Sequence, residues 1–156
     1  MKRVCIGLLL LTLIWSACHN GTGTITRKCG PCPLYAEILP TVGVKMLSKT
    51  TGADLLFGPN SLYKPSDLMV SSSVSGPDYH FIVDTSDASN RLIWIPSPES
   101  DMFSLKLANL SADYIKVTLA RDSPVCCPRT RIKSIVLDDS LICSPCSFKP
   151  VVVIRK

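Results

Sequence analysis

From residue 41 onward, Gly, Pro, Ser, Asn and Asp interrupt the chain so often that the apolar stretches between them last only about five to nine residues. That spacing suits strands and starves helices, because an isolated helix needs roughly 12–15 residues to hold together in water. Stretches rich in Val, Ile, Leu and Tyr read as strands at Val42 to Ser48, Leu68 to Val74, Tyr79 to Thr85, Arg91 to Ile95, Phe103 to Leu107, Tyr114 to Arg121, Arg131 to Leu137, Ser140 to Cys143 and Val151 to Arg155. In the clearest of these, Ile115, Val117 and Leu119 alternate with Lys116, Thr118 and Ala120, as a half-buried strand requires. Asp138-Asp139, between two apolar runs, reads as a two-residue hairpin turn. The one helical candidate, Leu34 to Leu39, is short and is closed by Pro40. The pattern predicts an all-β chain: a single β-sandwich, Ig-like or transthyretin-like, of about seven to nine mostly antiparallel strands. No linker or internal repeat divides it.

The N-terminus sets the compartment. Lys2 and Arg3 precede ten largely apolar residues, Ile6 to Trp15, and small Ser16 and Ala17 lead into Cys18, which is the layout of a signal peptide. The apolar run is too short to span a bilayer, which takes roughly 20 residues. The Leu13-Ile14-Trp15-Ser16-Ala17-Cys18 stretch resembles the lipobox of bacterial lipoproteins, with Trp15 where Leu is usual. The resemblance implies that residues 1–17 are removed and that Cys18 becomes a lipidated N-terminus. Several acyl chains hold a protein to a membrane where one would not, since each buried methylene contributes about 0.8 kcal/mol. Small polar residues from His19 to Thr26 suit a tether, so residues 18–28 read as attachment site and leash, and 29–156 as the sandwich domain. Asp directly after the cysteine marks inner-membrane retention in such proteins. His19 points instead to the outer membrane, facing the periplasm.

Loss of residues 1–17 from the 156 leaves about 139, enough for one domain that buries on the order of 68% of its unfolded surface. Without Lys2 and Arg3 the 17 basic residues become 15 against 12 acidic, a net charge of +3. The cations are scattered, with small concentrations at Arg129, Arg131 and Lys133 and at Arg155 and Lys156. A nucleic-acid surface needs a dense basic stripe with interleaved aromatics, so nucleic acid is not an expected partner.

The segment Asp54-Leu55-Leu56-Phe57-Gly58-Pro59-Asn60, followed by Tyr63-Lys64-Pro65-Ser66-Asp67-Leu68, reads structurally. Leu55, Leu56 and Phe57 pack inward, Gly58-Pro59-Asn60 turns the chain and Tyr63 caps the core. Together with Lys49-Thr50-Thr51-Gly52-Ala53, a late Cys-Cys pair and a final cysteine before the last strand, it resembles small uncharacterised exported lipoproteins of the Bacteroidota. The resemblance implies an exported all-β domain and carries no activity, substrate or catalytic residue. Residues 19–24 lack the acidic surface-export signal of some members, which favours a periplasm-facing position.

Of eight cysteines, Cys5 and Cys18 belong to the leader and anchor, which leaves Cys29, Cys32, Cys126, Cys127, Cys143 and Cys146 as disulfide candidates. Six cysteines allow 15 pairings, among which sequence alone does not choose; a hairpin tip at Asp138-Asp139 would let Cys126 or Cys127 reach Cys143 or Cys146 and staple the C-terminal hairpin. Cys29-Gly30-Pro31-Cys32 is identical to the redox motif of thioredoxins. That chemistry wants the first cysteine between a strand and a long helix, and here no strand precedes it while Pro33 and Pro40 leave little helix. A thiol-disulfide oxidoreductase using Cys29 and Cys32 is therefore the second reading. Cys29-x-x-Cys32 with Cys143-x-x-Cys146 also has zinc-ligand spacing, but oxidation after export competes with metal capture.

No nucleophile elbow, zinc-protease motif or phosphate loop occurs. His19 falls on the leash, His80 reads as a strand residue beside Tyr79, and Asp84, Asp87, Asp138 and Asp139 read as turn residues. Trp94, in Leu92-Ile93-Trp94-Ile95, reads as core rather than as a ligand platform. The sequence thus predicts a lipid-anchored, non-enzymatic binding or structural module of the cell envelope. Its partner would be an envelope protein or glycan, and no catalytic residue, cofactor or metal is expected. Labelled palmitate fed to producing cells is expected to enter the wild-type protein and to be lost from Cys18→Ser, as read by autoradiography and intact mass.

Overall fold

The computed structural model describes residues 39–87, 90–122 and 129–156, and all structural statements below concern them. The chain forms β1 (Thr41–Leu47), a one-turn 3-10 helix (Pro65–Asp67), β2 (Leu68–Ser72), β3 (Ile82–Asp84), β4 (Leu92–Pro96) and β5 (Asp101–Leu107). It continues through β6 (Asp113–Asp122), β7 (Arg129–Leu137), β8 (Ser140–Cys143) and β9 (Val151–Arg155). A four-stranded sheet runs β3-β4-β1-β9 and a five-stranded sheet β2-β5-β6-β7-β8. Every strand pairing is antiparallel except that of β1 with β9. This is the nine-stranded sandwich that the punctuation of the sequence predicts.

Alternation decides which face each strand buries. Val42, Val44 and Met46 of β1, Ile93 and Ile95 of β4, and Val152 and Ile154 of β9 turn one sheet's apolar face inward. They meet Leu68, Val70, Phe103, Leu105, Ile115, Val117, Ile132 and Ile135 from the other sheet. The Leu55-Leu56-Phe57 segment closes this core as anticipated, with Leu55 and Leu56 buried and Phe57 and Tyr63 packed against it. Its turn is held by Asp54, whose Oδ1 accepts from the Leu56 and Phe57 amides at 2.9 and 3.0 Å. Gly58, at φ +121°, then takes a backbone conformation that L side chains avoid.

Two anticipated strands are shorter than expected. Leu68 to Val74 ends at Ser72, because Ser72 and Gly76 exchange backbone hydrogen bonds across a tight turn. Tyr79 to Thr85 contracts to Ile82–Asp84. His80 therefore lies outside any strand and is exposed. The Asp138-Asp139 turn is present: Leu137 pairs with Ser140, and both aspartates have positive φ, 44° and 65°, the backbone that a tight two-residue hairpin demands. The Leu34 to Leu39 helical candidate lies, but for Leu39, outside the described residues.

Two polar clasps hold strand ends, the first across the two sheets and the second between β2 and β5 within one of them. Lys156 Nζ meets Asp113 Oδ2 at 2.6 Å and donates to the Ser111 carbonyl at 2.7 Å, fixing the end of β9 to the start of β6. At the opposite side of β5, Asp101 is buried and accepts from the Ser72 hydroxyl, from the Ser73 hydroxyl at 2.6 Å and amide at 3.1 Å, and from its neighbour Met102's amide at 2.6 Å. Ser72 Oγ in turn accepts from the Val74 and Ser75 amides. Burial pushes the Asp101 carboxyl up, but these donors outweigh it and hold the group below its ordinary value of 3.8. A carboxyl depressed in the folded state stabilises the fold above its unfolded pKa, and that contribution fades as pH falls through the folded value. Asp101→Asn is expected to cost about 2 kcal/mol at neutral pH, since it sets an amide donor against hydroxyl and amide donors. Its acid unfolding curve, followed by circular dichroism, should be flatter below the ordinary carboxylate range than that of the wild type.

Candidate functional site

The outer face of the four-stranded sheet is built around a glycine. Gly43 lies mid-strand in β1, where a residue without a side chain weakens a sheet unless something covers it. Register places Gly43 opposite Trp94 of β4 on one side and Val151 of β9 on the other, and Trp94 opposite Ile82 of β3. The six-membered ring of Trp94 reaches across β1: a Cβ at Gly43 would stand 2.9 Å from its Cζ3 and 3.1 Å from its Cη2. Only glycine leaves room for the ring. The result is an apolar row, Ile82, Trp94, Gly43 and Val151, crossing all four strands, with Ile82 and Val151 exposed and Trp94 half-buried.

Charged groups bracket this row. Indole Nε1 donates to Asp84 Oδ2 at 3.1 Å, and the Lys149 ammonium stands over the ring at 5.7 Å from its centroid. The Asp84 carboxyl is held below its ordinary range by the Ser86 hydroxyl and amide first and by the Trp94 indole after them, with Lys149 adding attraction. Lys45, two residues along β1, donates to Asn90 at 3.3 Å. An indole with a carboxylate at its edge and an ammonium above it offers an aromatic surface flanked by one strong acceptor and one strong donor.

Comparison with protein-family models, with curated proteins and with solved structures finds no match. The residues themselves must therefore carry the reading.

Trp94 corrects the expectation of a core residue. In Leu92-Ile93-Trp94-Ile95 both faces are apolar, so alternation cannot say which face is inside; pairing with the inward Val44 and Val42 buries Ile93 and Ile95 completely and turns Trp94 outward. The cysteines correct a second expectation. Cys143 is joined to Cys146, so neither is bridged to Cys126 or Cys127. Cys143 stands opposite Ile135 on the inward face, and both sulfurs pack against the core at the edge of the five-stranded sheet. The bridge closes so short a loop that its chain-entropy contribution is about 2 kcal/mol, and it plugs the sandwich edge rather than stapling a distant strand. It also withdraws two of the four thiolates of the zinc pattern. Cys18, Cys29, Cys32, Cys126 and Cys127 lie outside the described residues.

Among the described residues, no group of three or more His, Cys, Asp or Glu side chains could hold a metal, and no helix is long and apolar enough to cross a membrane. Clefts of about 230 Å³ beside Leu39, Arg131, Cys146 and Phe148 and of about 320 Å³ beside Ser73, Asp101, Met102 and Lys116 lie at the lower edge of the roughly 300 Å³ at which small-molecule pockets begin. The Trp94 partners were legible only in part. A glycine between two valines in a strand signals close approach of another group, yet nothing local says that Trp94 is that group. Gly43→Val is expected to cost about 1–3 kcal/mol by overpacking and to displace the ring. In a chain produced from residue 18 onward Trp94 is the sole tryptophan, so a shift of intrinsic fluorescence in this variant reports the displacement directly.

Proposed function

We propose that the protein is a lipid-anchored, non-enzymatic binding module of the bacterial cell envelope, and that the Trp94 face engages a glycan. The observation that carries this reading is the indole lying over Gly43 between the Asp84 carboxylate and the Lys149 ammonium. A pyranose ring presents an apolar face of C–H groups and a rim of hydroxyls. The first packs on an indole, and the second needs one acceptor and one donor at its edges. Lys149 is a flexible side chain that can swing off the ring and keep its ammonium within reach of a hydroxyl.

Envelope localisation follows from the N-terminus. Lys2 and Arg3, the short apolar run, Ser16-Ala17-Cys18 and the polar leash support export and lipidation, and the outer membrane facing the periplasm is the setting they favour. The bacterial wall glycan lies within a tether's reach of that position. The all-β sandwich suits a binding module, since rigid sheets hold an exposed face in a fixed geometry at little entropic cost on binding.

Soluble wall fragments, disaccharide-peptides released by muramidase, provide the test. Titrated into the mature chain, they are expected to change Trp94 emission saturably, whereas Trp94→Ala should abolish binding measured by calorimetry and Asp84→Asn should weaken it about tenfold, the loss of one charged hydrogen bond. Unchanged emission together with undetectable heat would overturn the glycan assignment.

A further inference from the structure

The opposite face of the sandwich has its own character. Register across β2, β5, β6, β7 and β8 sets Met69 beside Lys106, Ser104 beside Tyr114, and Met102 beside Lys116, Val136 and Leu141 in one row. Met69, Met102, Tyr114 and Leu141 are 56%, 46%, 50% and 64% exposed. Lys106 and Lys116 are exposed among them, and Lys133 is exposed where the β6–β7 register shifts. Among the described carboxylates of this sheet, Asp101 and Asp113 are buried, Asp101 at the margin of the depression beside Met102 and Lys116, while Asp138, whose Oδ1 accepts from the Tyr114 amide at 2.8 Å, and Asp139 are exposed at the β7–β8 turn, at one end of the face.

We infer that this outer face of the five-stranded sheet rests on a bilayer surface containing anionic phospholipid. Charge decides the occupant. Two copies of the chain apposed through this face would bring like charges together, whereas an anionic headgroup layer complements them. Exposed Met, Leu and Tyr side chains reach into the headgroup boundary while the lysine stems lie along it with their ammonium groups on phosphates. Each lysine near such a surface contributes about a fivefold gain in partitioning. The two sheets of a sandwich present opposite outer faces, so docking through this one leaves Trp94 pointing away from the lipid, toward the wall. The inference rests on the envelope reading for its setting and not for its test.

The test uses the mature chain from residue 19 onward, which cannot be lipidated and which retains the whole core from Val42 to Ile154. It is sedimented with vesicles of phosphatidylethanolamine alone and of phosphatidylethanolamine mixed with phosphatidylglycerol. Binding is expected to the mixed vesicles only and to weaken with salt. Lys106→Glu/Lys116→Glu should lower it more than tenfold, from two lysines at about fivefold each. Met102→Ser/Leu141→Ser should lower it as well, and Lys49→Glu, outside this face, should not. Circular dichroism shows whether each variant is folded, and Lys106→Gln/Lys116→Gln replaces any variant that is not. Equal partition into both vesicles, or binding indifferent to the lysine changes, would overturn the inference. A chain that takes up no lipid at Cys18 would keep this vesicle preference, so the anchor and the face fail separately.

Discussion

The structure depends on β1 being paired along both edges. Its neighbour β4 runs antiparallel and its neighbour β9 parallel, so the strand is interior to its sheet and its Val42, Val44 and Met46 are all but fully removed from water. The parallel pairing joins the first described strand to the last, so the contact spans nearly the whole described chain. Non-local pairings of this kind cost loop-closure entropy before they return any burial. The Asp113–Lys156 ion pair and the Lys49 amide's bond to the Lys156 carbonyl act on the same end and help to seat β9.

That double pairing also explains why the candidate site is where it is. A strand interior to its sheet offers two faces, and on β1 the inner one is filled by the sandwich core. On the outer one a glycine exposes backbone to solvent unless a neighbour covers it. Trp94 does so from β4, at a position fixed by the register of the strands and not by its own sequence neighbourhood. Covering a strand glycine is a structural service that any large side chain could perform. The Asp84 and Lys149 placements are not required by it, since a phenyl ring would cover Gly43 without asking for an acceptor at its edge.

The strands were legible because turn chemistry and alternation are local properties. Asp138-Asp139 announces a two-residue hairpin by residue type alone, and Ile115, Val117 and Leu119 announce their face by period. What remained hidden was long-range. Leu92-Ile93-Trp94-Ile95 is apolar at every step, so only its pairing with β1 reveals which side faces solvent. The Cys143–Cys146 bridge was hidden for the opposite reason. The hairpin suggested a staple between its ends, while the two cysteines meet each other over the shortest route, three residues apart. The Tyr79 to Thr85 run overreached at its start, where the Tyr79 amide donates to the Val70 carbonyl of β2 and not to β4, so the ladder with β4 begins at Ile82 opposite Trp94.

The two outer faces differ in a way that bears on orientation. Around Trp94 both signs of charge are present, Asp84 on one side and Lys149 on the other, so no net field favours a charged surface there. Across Met102, Lys116, Val136 and Leu141 the described outward positions carry cations and apolar groups without an intervening carboxylate. Under the proposed lipid tether, a face of this kind would bias the orientations that the leash allows even when each contact is weak, because a tether holds the local concentration of headgroups high. Orientation would then follow from which strand faces which side of the core, since the alternation that builds the sandwich gives its two outer faces their different character.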